Sequence, residues 1–102
     1  MPLYKVKYTK ESLEELQNII TYYESASPGL GKRFKKNFLS SIKKVKANPF
    51  YASIRYDNVR FAGVNRFPYA SHYVVDEAKR CIVIYAVLGY KQEPDKNWRL
   101  RL

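Results

Sequence analysis

The sequence predicts an α+β fold in which an N-terminal strand precedes a two-helix antiparallel hairpin packed on one face of a small, mostly antiparallel sheet. Three observations lead to this prediction. Residues near the N-terminus alternate as in a half-buried strand. Two amphipathic helical stripes separated by a short break follow, and three apolar runs lie in the second half of the chain. The predicted order is β-α-α-β-β-β, and 102 residues fit a single domain over residues 1–102.

The first strand is predicted over residues 3–8, where Tyr4, Val6 and Tyr8 alternate with the other positions as in a half-buried strand. Thr9 then offers a hydroxyl that caps a helix, and acidic residues follow where the helix dipole favours them. The helix presents an apolar stripe with intervals of three, four and three residues, formed by Leu13, Leu16, Ile20 and Tyr23.

The second helix is predicted to begin with Ser27 as its cap and Pro28 at its first position, where a missing N–H costs nothing. It ends at Asn48-Pro49, because the residue before a proline avoids helical geometry. One side of this helix carries an apolar stripe of Leu30, Phe34, Phe38, Ile42 and Val45.

Three further strands are predicted over residues 59–64, 69–75 and 81–88, with a polar turn over 76–80 that joins the last two as a hairpin. The last strand is apolar on both faces, which is typical of a central strand. We expect the sheet face opposite the helices to be open. The predicted core consists of Leu16, Ile20, Phe34, Phe38, Ile42, Ile82, Ile84 and Ala86.

Composition excludes several classes of protein. Cys81 is the only cysteine, so neither an internal disulfide nor a cysteine-based zinc site can form, and we expect no cofactor and no metal. The longest apolar run has 8 residues, against the roughly 20 that a membrane-spanning helix needs. The N-terminus also lacks the apolar stretch of a signal peptide, so a cytoplasmic protein without a membrane partner is expected.

The formal charge of +10 favours a polyanionic partner, although high charge can also serve solubility alone. Residues 25–56 contain no Asp or Glu, so the second helix is a basic rod that either contacts phosphate or is a solvated face. A second basic set is interleaved with Tyr and Trp residues, and it suits either unpaired RNA bases or a protein partner. It consists of Arg55, Arg60, Arg66, Lys91, Arg99 and Arg101.

Familiar catalytic motifs are missing: there is no phosphate-binding glycine loop, no HExxH and no nucleophile elbow. His72 is the only histidine, and it is either a general acid or base or a half-buried structural residue. We favour the structural role, because no carboxylate at a recognisable spacing would orient the ring.

Several short motifs in a fixed order resemble the RelE/ParE superfamily of bacterial toxins, and in particular its ParE-like plasmid stabilisation branch. The resemblance spans nearly the whole chain. Its motifs are Tyr4 to Tyr8, Leu13-Glu-Glu-Leu16, Ile19-Ile20-x-Tyr-Tyr23, Gly31-x-Arg-Phe34, Asn48-Pro49, Val59-Arg60, Phe67-Pro-Tyr69 with Tyr73, Ile84-x-Ala-Val87, and Pro94 followed by Trp98-Arg99.

This resemblance implies a toxin of a type II toxin–antitoxin system, neutralised in a hetero-oligomer by a cognate antitoxin protein. ParE-like members poison DNA gyrase, whereas RelE-like members cut messenger RNA on the ribosome. We therefore expect a growth inhibitor that acts on gyrase. The alternatives are a ribosome-dependent mRNA endoribonuclease, or a degenerate toxin that acts only as an antitoxin-binding module.

Whether the chain is an enzyme stays open at this point. In a nuclease, Arg60 and Arg66 would stabilise the charge on the phosphate, and Tyr90, Lys91 or His72 would transfer protons. Family members often carry His and then Arg-Asp-Pro after the last strand, but this chain has Gly89 and Gln92-Glu93-Pro94, which argues against cleavage. The residues expected to contact the antitoxin or the target are Arg55, Arg60, Arg66, Tyr73, Lys91, Trp98 and Arg99.

Overall fold

A computed structural model describes residues 4–102 and confirms the predicted α+β architecture. In the part of the chain it describes, no helix is long and apolar enough to cross a membrane. Residue 3, the predicted start of the first strand, lies outside the described residues. The elements are β1 (Lys5–Tyr8), α1 (Lys10–Ala26), α2 (Leu30–Ala47), β2 (Ile54–Tyr56), β3 (Val59–Gly63), β4 (Tyr69–Asp76), β5 (Cys81–Gly89) and a terminal 3-10 helix (Trp98–Arg101).

The five strands form one sheet in the order β1-β5-β4-β3-β2. β1 is parallel to β5, with Lys5 opposite Cys81, and the other pairs are antiparallel. The doubly apolar β5 therefore has a neighbour on each side, as predicted for a central strand. β2 is a strand that the sequence pattern did not predict, because three residues, two of them exposed, show no readable alternation.

A β-bulge interrupts the pairing of β4 with β5. His72 lies opposite Ala86 but Tyr73 lies opposite Ile84, so Tyr85 is the extra residue on β5. The bulge shifts the alternation of β5, so that Ile84 packs in the cluster under the helices while Tyr85 and Ala86 pack in a second cluster. The prediction that Ala86 is buried is confirmed, but its cluster is not the one that contains the helices.

The start of α2 differs from the prediction. Ser27 ends α1 instead of capping α2, and Pro28 lies in the turn before the helix. The cap residue is Gly29 in the left-handed conformation (φ 89°). The Glu24 carboxylate accepts hydrogen bonds from the N–H groups of Gly29 (2.9 Å) and Gly31 (3.1 Å), which replaces the hydroxyl cap expected from Ser27.

The helix hairpin packs tightly at Gly31, where an added Cβ would lie 2.5 Å from the carbonyl oxygen of Ile20. In α2, the predicted stripe is confirmed for Phe34 and Phe38, which are fully buried, together with Ile42 and Val45. The start of α1 agrees with the prediction, since the Thr9 hydroxyl accepts a hydrogen bond from the Ser12 N–H.

The stripe of α1 is rotated relative to the prediction. Ser12 and Ile19 are its buried residues, whereas Leu16 and Ile20 are only partly buried and Leu13 is half exposed. Ile19 packs within the cluster beneath the helices, whereas Leu16, Ile20 and Tyr23 pack against its edge.

The sheet face opposite the helices is not open along its whole length, as we had expected. The second cluster covers part of it, and Trp98 from the terminal 3-10 helix stacks on Tyr85 with ring centroids 4.8 Å apart. The same terminal segment is tied to α1, because Arg101 contacts the carboxylate of Glu15 at 3.1 Å. The members of this cluster are Val59, Val74, Tyr85, Ala86, Leu88 and Trp98.

Candidate functional site

Three adjoining grooves surround the loop between β3 and β4. The first, of about 490 Å³, lies between the start of α2 and this loop. The second, of about 660 Å³, shares Asn65 and Arg66 with the first and extends to Tyr90. The third, of about 530 Å³, lies beyond Tyr90 and is lined by Arg55, Phe61 and Gly63. We call these three grooves together the basic surface.

The lining residues of the basic surface carry positive charge only, although Glu24, beside the first groove, interacts with Lys32. Its cations are Lys32, Arg33, Lys36, Lys44, Arg55 and Arg66, and no Asp or Glu is among its lining residues in the described range 4–102. Carboxylates outside the grooves pair with other cations; Glu15, for example, forms an ion pair with Arg101. A cleft lined by one sign of charge concentrates the field and attracts anionic partners.

Arg66 lies at the boundary of two grooves, on a loop whose backbone is fixed by hydrogen bonds. Its φ of 69° is in the left-handed region, which costs a residue with a side chain about 1 kcal/mol. The loop is fixed by a hydrogen bond from the Asn37 side chain to the carbonyl of Asn65 (3.0 Å) and by one from Val64 N–H to the carbonyl of Tyr69 (2.9 Å). Backbone strain of this kind is often retained where it places a functional side chain.

Tyr90 follows β5 directly and separates the second groove from the third. Its N–H donates to the carbonyl of Pro68 (3.0 Å), its ring lies 5.6 Å from that of Phe61, and its side chain is 52% exposed. Its hydroxyl lies over Gly63, where an added Cβ would approach to 2.7 Å. The structure therefore brings the predicted residues Arg66 and Tyr90 to one groove.

Lys91 lines a further groove beside Tyr90, together with Pro68 and Gln92.

Phe61 is a site residue that sequence reasoning missed. Its ring lies beneath the Arg55 guanidinium, whose carbon is 4.4 Å from the ring centroid. The signal for it was its position two residues after Val59 in a predicted strand, which places it on the same face.

Arg60 does not join Arg66, contrary to the prediction that both act as cations of one site. Its guanidinium donates to the carbonyls of Ala52 (2.7 Å) and Phe50 (3.3 Å) and lies over the Phe50 ring. Arg60 is opposite Tyr73, which packs in the cluster under the helices. Arg60 therefore fixes the segment after α2, and it lines none of the three grooves.

Two predicted contact residues are buried. Tyr73 is fully buried and donates its hydroxyl to the carbonyl of Pro49 (2.7 Å), and burial raises its pKa to about 12. Trp98 is 3% exposed and donates its ring N–H to Asp57 (2.9 Å). Neither ring reaches the surface, so neither forms part of an exposed contact surface in this structure. Arg99 is exposed and lies 3.6 Å from Asp57.

His72 is a structural residue, as we favoured. It is 2% exposed, and its Nδ1 lies 2.8 Å from the hydroxyl of Tyr56. Burial, with the nearby charges of Arg55 and Arg101, lowers its pKa to about 4, so the ring is neutral at pH 7. A buried, neutral imidazole does not exchange protons with a substrate on the surface.

The lining of the basic surface is cationic and aromatic, which suits contact with anions and planar rings. The three grooves offer guanidinium, ammonium, amide and aromatic groups, and within residues 4–102 none of their lining residues is His, Asp or Glu. Across the same residues, no group of three or more His, Cys, Asp or Glu side chains lies close enough together to hold a metal ion.

Over most of the chain, the fold is similar to solved structures from toxin–antitoxin systems. It matches a chain of the chromosomal ParDE system from P. aeruginosa with a TM-score of 0.72 and 18% identity, over 84% of this chain and 95% of that one. It matches a chain of the RelBE2 toxin–antitoxin complex from Mycobacterium tuberculosis with a TM-score of 0.57 and 17% identity, over 87% and 93%. No family model and no curated protein matches the sequence.

These likenesses show the fold class of the chain, an α+β domain similar to chains found in toxin–antitoxin systems. The particular fold is the RelE/ParE-like one, as the ordered motifs had predicted.

Proposed function

We propose that this chain is the toxin of a type II toxin–antitoxin pair and that it stops growth by binding and inhibiting DNA gyrase. The observation that carries this proposal is the basic surface, whose lining residues supply cations and aromatic rings but no His, Asp or Glu. Cations and exposed rings suit contact with a large partner, which is what inhibition by attachment requires. Gyrase is the target that the ParE-like resemblance implies.

The antitoxin partner follows from the same charge distribution. An acidic and partly disordered segment would be attracted to the basic surface and would fold as it docks, forming a hetero-oligomer. Both structural neighbours come from toxin–antitoxin systems, which supports this assignment. The predicted contacts that remain accessible are Arg55, Arg66, Lys91 and Arg99.

One observation favours a second candidate, a ribosome-dependent mRNA endoribonuclease. Lys44, Arg66 and Tyr90 line the same groove, so two cations and a hydroxyl surround one cavity. The cations would stabilise the charge that develops when the ribose 2′-hydroxyl attacks the adjacent phosphate, and Tyr90 or Lys91 would transfer a proton. Arg60 has no part in this version, because its guanidinium is engaged by the carbonyls of Phe50 and Ala52.

The discriminating experiment is pulse labelling of DNA and protein synthesis in bacteria within minutes of inducing the chain without its antitoxin. Gyrase inhibition predicts that DNA synthesis falls first, that transcripts stay intact and that purified gyrase loses supercoiling activity. Arg66→Gln should relieve the arrest, whereas Lys79→Gln, in the turn after β4, should not.

Early loss of protein synthesis with cleaved transcripts would instead establish the ribonuclease. Normal growth with tight antitoxin binding would leave only an antitoxin-binding module, and normal supercoiling at excess protein would refute the gyrase proposal.

A further inference from the structure

We propose that the chain contacts its target at a second place, an exposed group of arginine and aromatic side chains at the end of the sheet remote from Tyr90. This surface fits a folded protein that presents carboxylates beside apolar side chains. The inference rests on the proposed function, because the target is the gyrase named there, and it adds a contact that the basic surface does not provide. We call the surface the arginine–aromatic end, and its residues are Tyr4, Phe50, Ile54, Arg60 and Arg80.

Four side chains of the arginine–aromatic end form a continuous series of contacts. The Arg80 guanidinium carbon lies 5.8 Å from the centroid of the Tyr4 ring. The Tyr4 and Phe50 rings meet edge to face at 6.5 Å, and the Arg60 guanidinium carbon lies 5.1 Å from the Phe50 centroid. Ile54 adjoins the series, because it pairs with Arg60 across β2 and β3, and residues directly opposite each other lie on the same face of a sheet.

Apolar groups of this end remain exposed to solvent. Phe50 is 42% exposed and Ile54 is 51% exposed. Exposed apolar side chains that adjoin one another, unlike those scattered singly, mark interaction surfaces. Tyr, Phe and Arg are enriched at protein–protein interfaces whereas Lys is depleted, and the arginine–aromatic end contains no Lys.

Arg60 is ordered before any partner binds. Its Nη1 donates to the carbonyls of Ala52 (2.7 Å) and Phe50 (3.3 Å), and these two bonds leave Nε and Nη2 unused. A guanidinium over an aromatic ring keeps its edge available for two parallel hydrogen bonds to a carboxylate. Because the side chain is already fixed, binding loses little conformational entropy. The arginine–aromatic end thus gives Arg60 the contact role predicted from the sequence, away from the grooves.

The two arginines carry charge that the chain itself leaves unpaired. Within residues 4–102, neither Arg60 nor Arg80 forms an ion pair. Two carboxylates precede Arg80 in the same turn, where Asp76 accepts from the backbone N–H of Lys79 (3.1 Å) and Glu77 is exposed. The arginine–aromatic end therefore complements carboxylates of a partner, whereas a second copy of this chain would bring the arginines together.

The geometry favours a folded protein over the other classes of partner. An unpaired base stacks on a free ring face, but a guanidinium lies over each of the two rings, Tyr4 and Phe50. A disordered acidic segment suits the basic surface instead, where flexible lysines such as Lys32, Lys36 and Lys44 steer it by charge. Side chains that are already stacked and ordered suit a partner surface that is ordered as well.

The strand β5 separates the arginine–aromatic end from the basic surface. Arg80 directly precedes β5 and Tyr90 directly follows it, so the two residues lie about 30 Å apart at about 3.3 Å per residue. A large folded protein can contact both places at once. We therefore expect substitutions at either place to weaken target binding, but only those in the basic surface to weaken binding of a disordered acidic chain.

The test is biolayer interferometry of the full chain with purified gyrase in the absence of DNA, and with a polyglutamate peptide as the probe of the basic surface. Phe50→Ala and Arg80→Gln should each weaken gyrase binding about tenfold, the loss typical of an important interface residue. Both variants should bind polyglutamate as the parent does. Arg66→Gln, in the basic surface, should weaken both interactions.

Matched controls separate this surface from total charge and from exposed rings in general. Lys79→Gln removes a charge from the same turn as Arg80, and Tyr22→Ala removes a 63% exposed ring from α1. Both should bind gyrase as the parent does. Ile54→Glu places a carboxylate at an exposed position, so repulsion should weaken gyrase binding about tenfold even if circular dichroism shows that Phe50→Ala is unfolded.

The inference is overturned if any folded variant among Phe50→Ala, Arg80→Gln and Ile54→Glu binds gyrase as the parent does. Equal losses of gyrase and polyglutamate affinity would also overturn it, because the surface would then serve a disordered acidic chain. Binding of single-stranded dT12 that Phe50→Ala abolishes would assign the surface to nucleic acid instead. A dimer in sedimentation equilibrium that Phe50→Ala converts to a monomer would assign it to a second copy.

Failure of the proposed function gives a different result. A parent chain that does not bind gyrase refutes the proposed function and this inference with it. A parent chain whose gyrase affinity falls with Arg66→Gln but not with Phe50→Ala refutes this inference alone.

Discussion

Replacing Trp98 by alanine should destabilise the whole domain, although the residue lies only a few positions from the last one. Its ring is 3% exposed, stacks on Tyr85 at 4.8 Å and donates a hydrogen bond to Asp57 at 2.9 Å. Truncation of a buried aromatic ring costs about 3 to 5 kcal/mol. We take the lower end, about 3 kcal/mol, because the side chain of Asp57 is 48% exposed and water can replace part of the lost contact.

The assay is urea unfolding followed by circular dichroism. With a slope of about 1.5 kcal/mol per M, a loss of about 3 kcal/mol lowers the midpoint by about 2 M. Leu100→Ala, in the same 3-10 helix but 85% exposed, is the matched control and should stay within about 0.5 kcal/mol of the parent. Trp98→Phe should fall between them, because it keeps a ring on Tyr85 and loses the hydrogen bond.

Trp98 is the only tryptophan, so its fluorescence in the parent protein reports the docking of the terminal segment directly. Fluorescence and circular dichroism should give coincident transitions if the segment unfolds with the sheet. A midpoint shift below about 0.5 M for Trp98→Ala, or fluorescence that changes well before circular dichroism, would refute the reasoning that the second cluster stabilises the domain.

Three other outcomes are expected. Phe38→Ala, at a fully buried ring, should lower the free energy of unfolding by about 3 to 5 kcal/mol in urea, and an unchanged midpoint would contradict the assigned face of α2. The N–H of Gly29 lowers the pKa of Glu24 below 4.5, so Glu24→Gln should unfold more easily at pH 7 but match the parent once the pH falls below that lowered pKa. Burial holds the pKa of His72 at about 4 against 6.5 when unfolded, so the proton binds the unfolded chain preferentially and stability should fall between pH 6.5 and 4. The His72 ring signals in NMR should titrate near pH 4, and a midpoint above 6 would show that the ring is not desolvated.

Hydrophobic spacing predicted α2 because it buries one regular face, and runs of apolar residues predicted β4 and β5 because both strands are buried along most of their length. Phe34 and Phe38 belong to such a pattern, and both are fully buried. The pattern failed where a distant residue decides the local structure. The start of α2 depends on the Glu24 carboxylate, which is not adjacent to it in sequence, and local rules assigned the cap to Ser27 instead.

The candidate site was only partly predictable, for a related reason. Arg66, Tyr90 and Lys91 are exposed, as the sequence suggested, because they lie in loops whose side chains face solvent. The sequence did not show that Arg60 and Tyr73 lie away from the grooves, because strand alternation leaves open which face meets the helices, and these two lie opposite one another on the helix side. The resemblance to the RelE/ParE superfamily supplied the fold but did not separate these cases.

The parallel pairing of β1 with β5 has a consequence for how the chain is made. The Thr9 hydroxyl donates to the carbonyl of Tyr85, 76 positions later, so the first strand has no sheet neighbour until the last strand is synthesised. At about 5 to 20 residues per second, this delay is about 4 to 15 seconds. During that interval the nascent chain lacks β5, the strand that pairs with both β1 and β4. It also lacks Tyr90, which directly follows β5. The basic surface is therefore assembled only after β5 and Tyr90 have been synthesised.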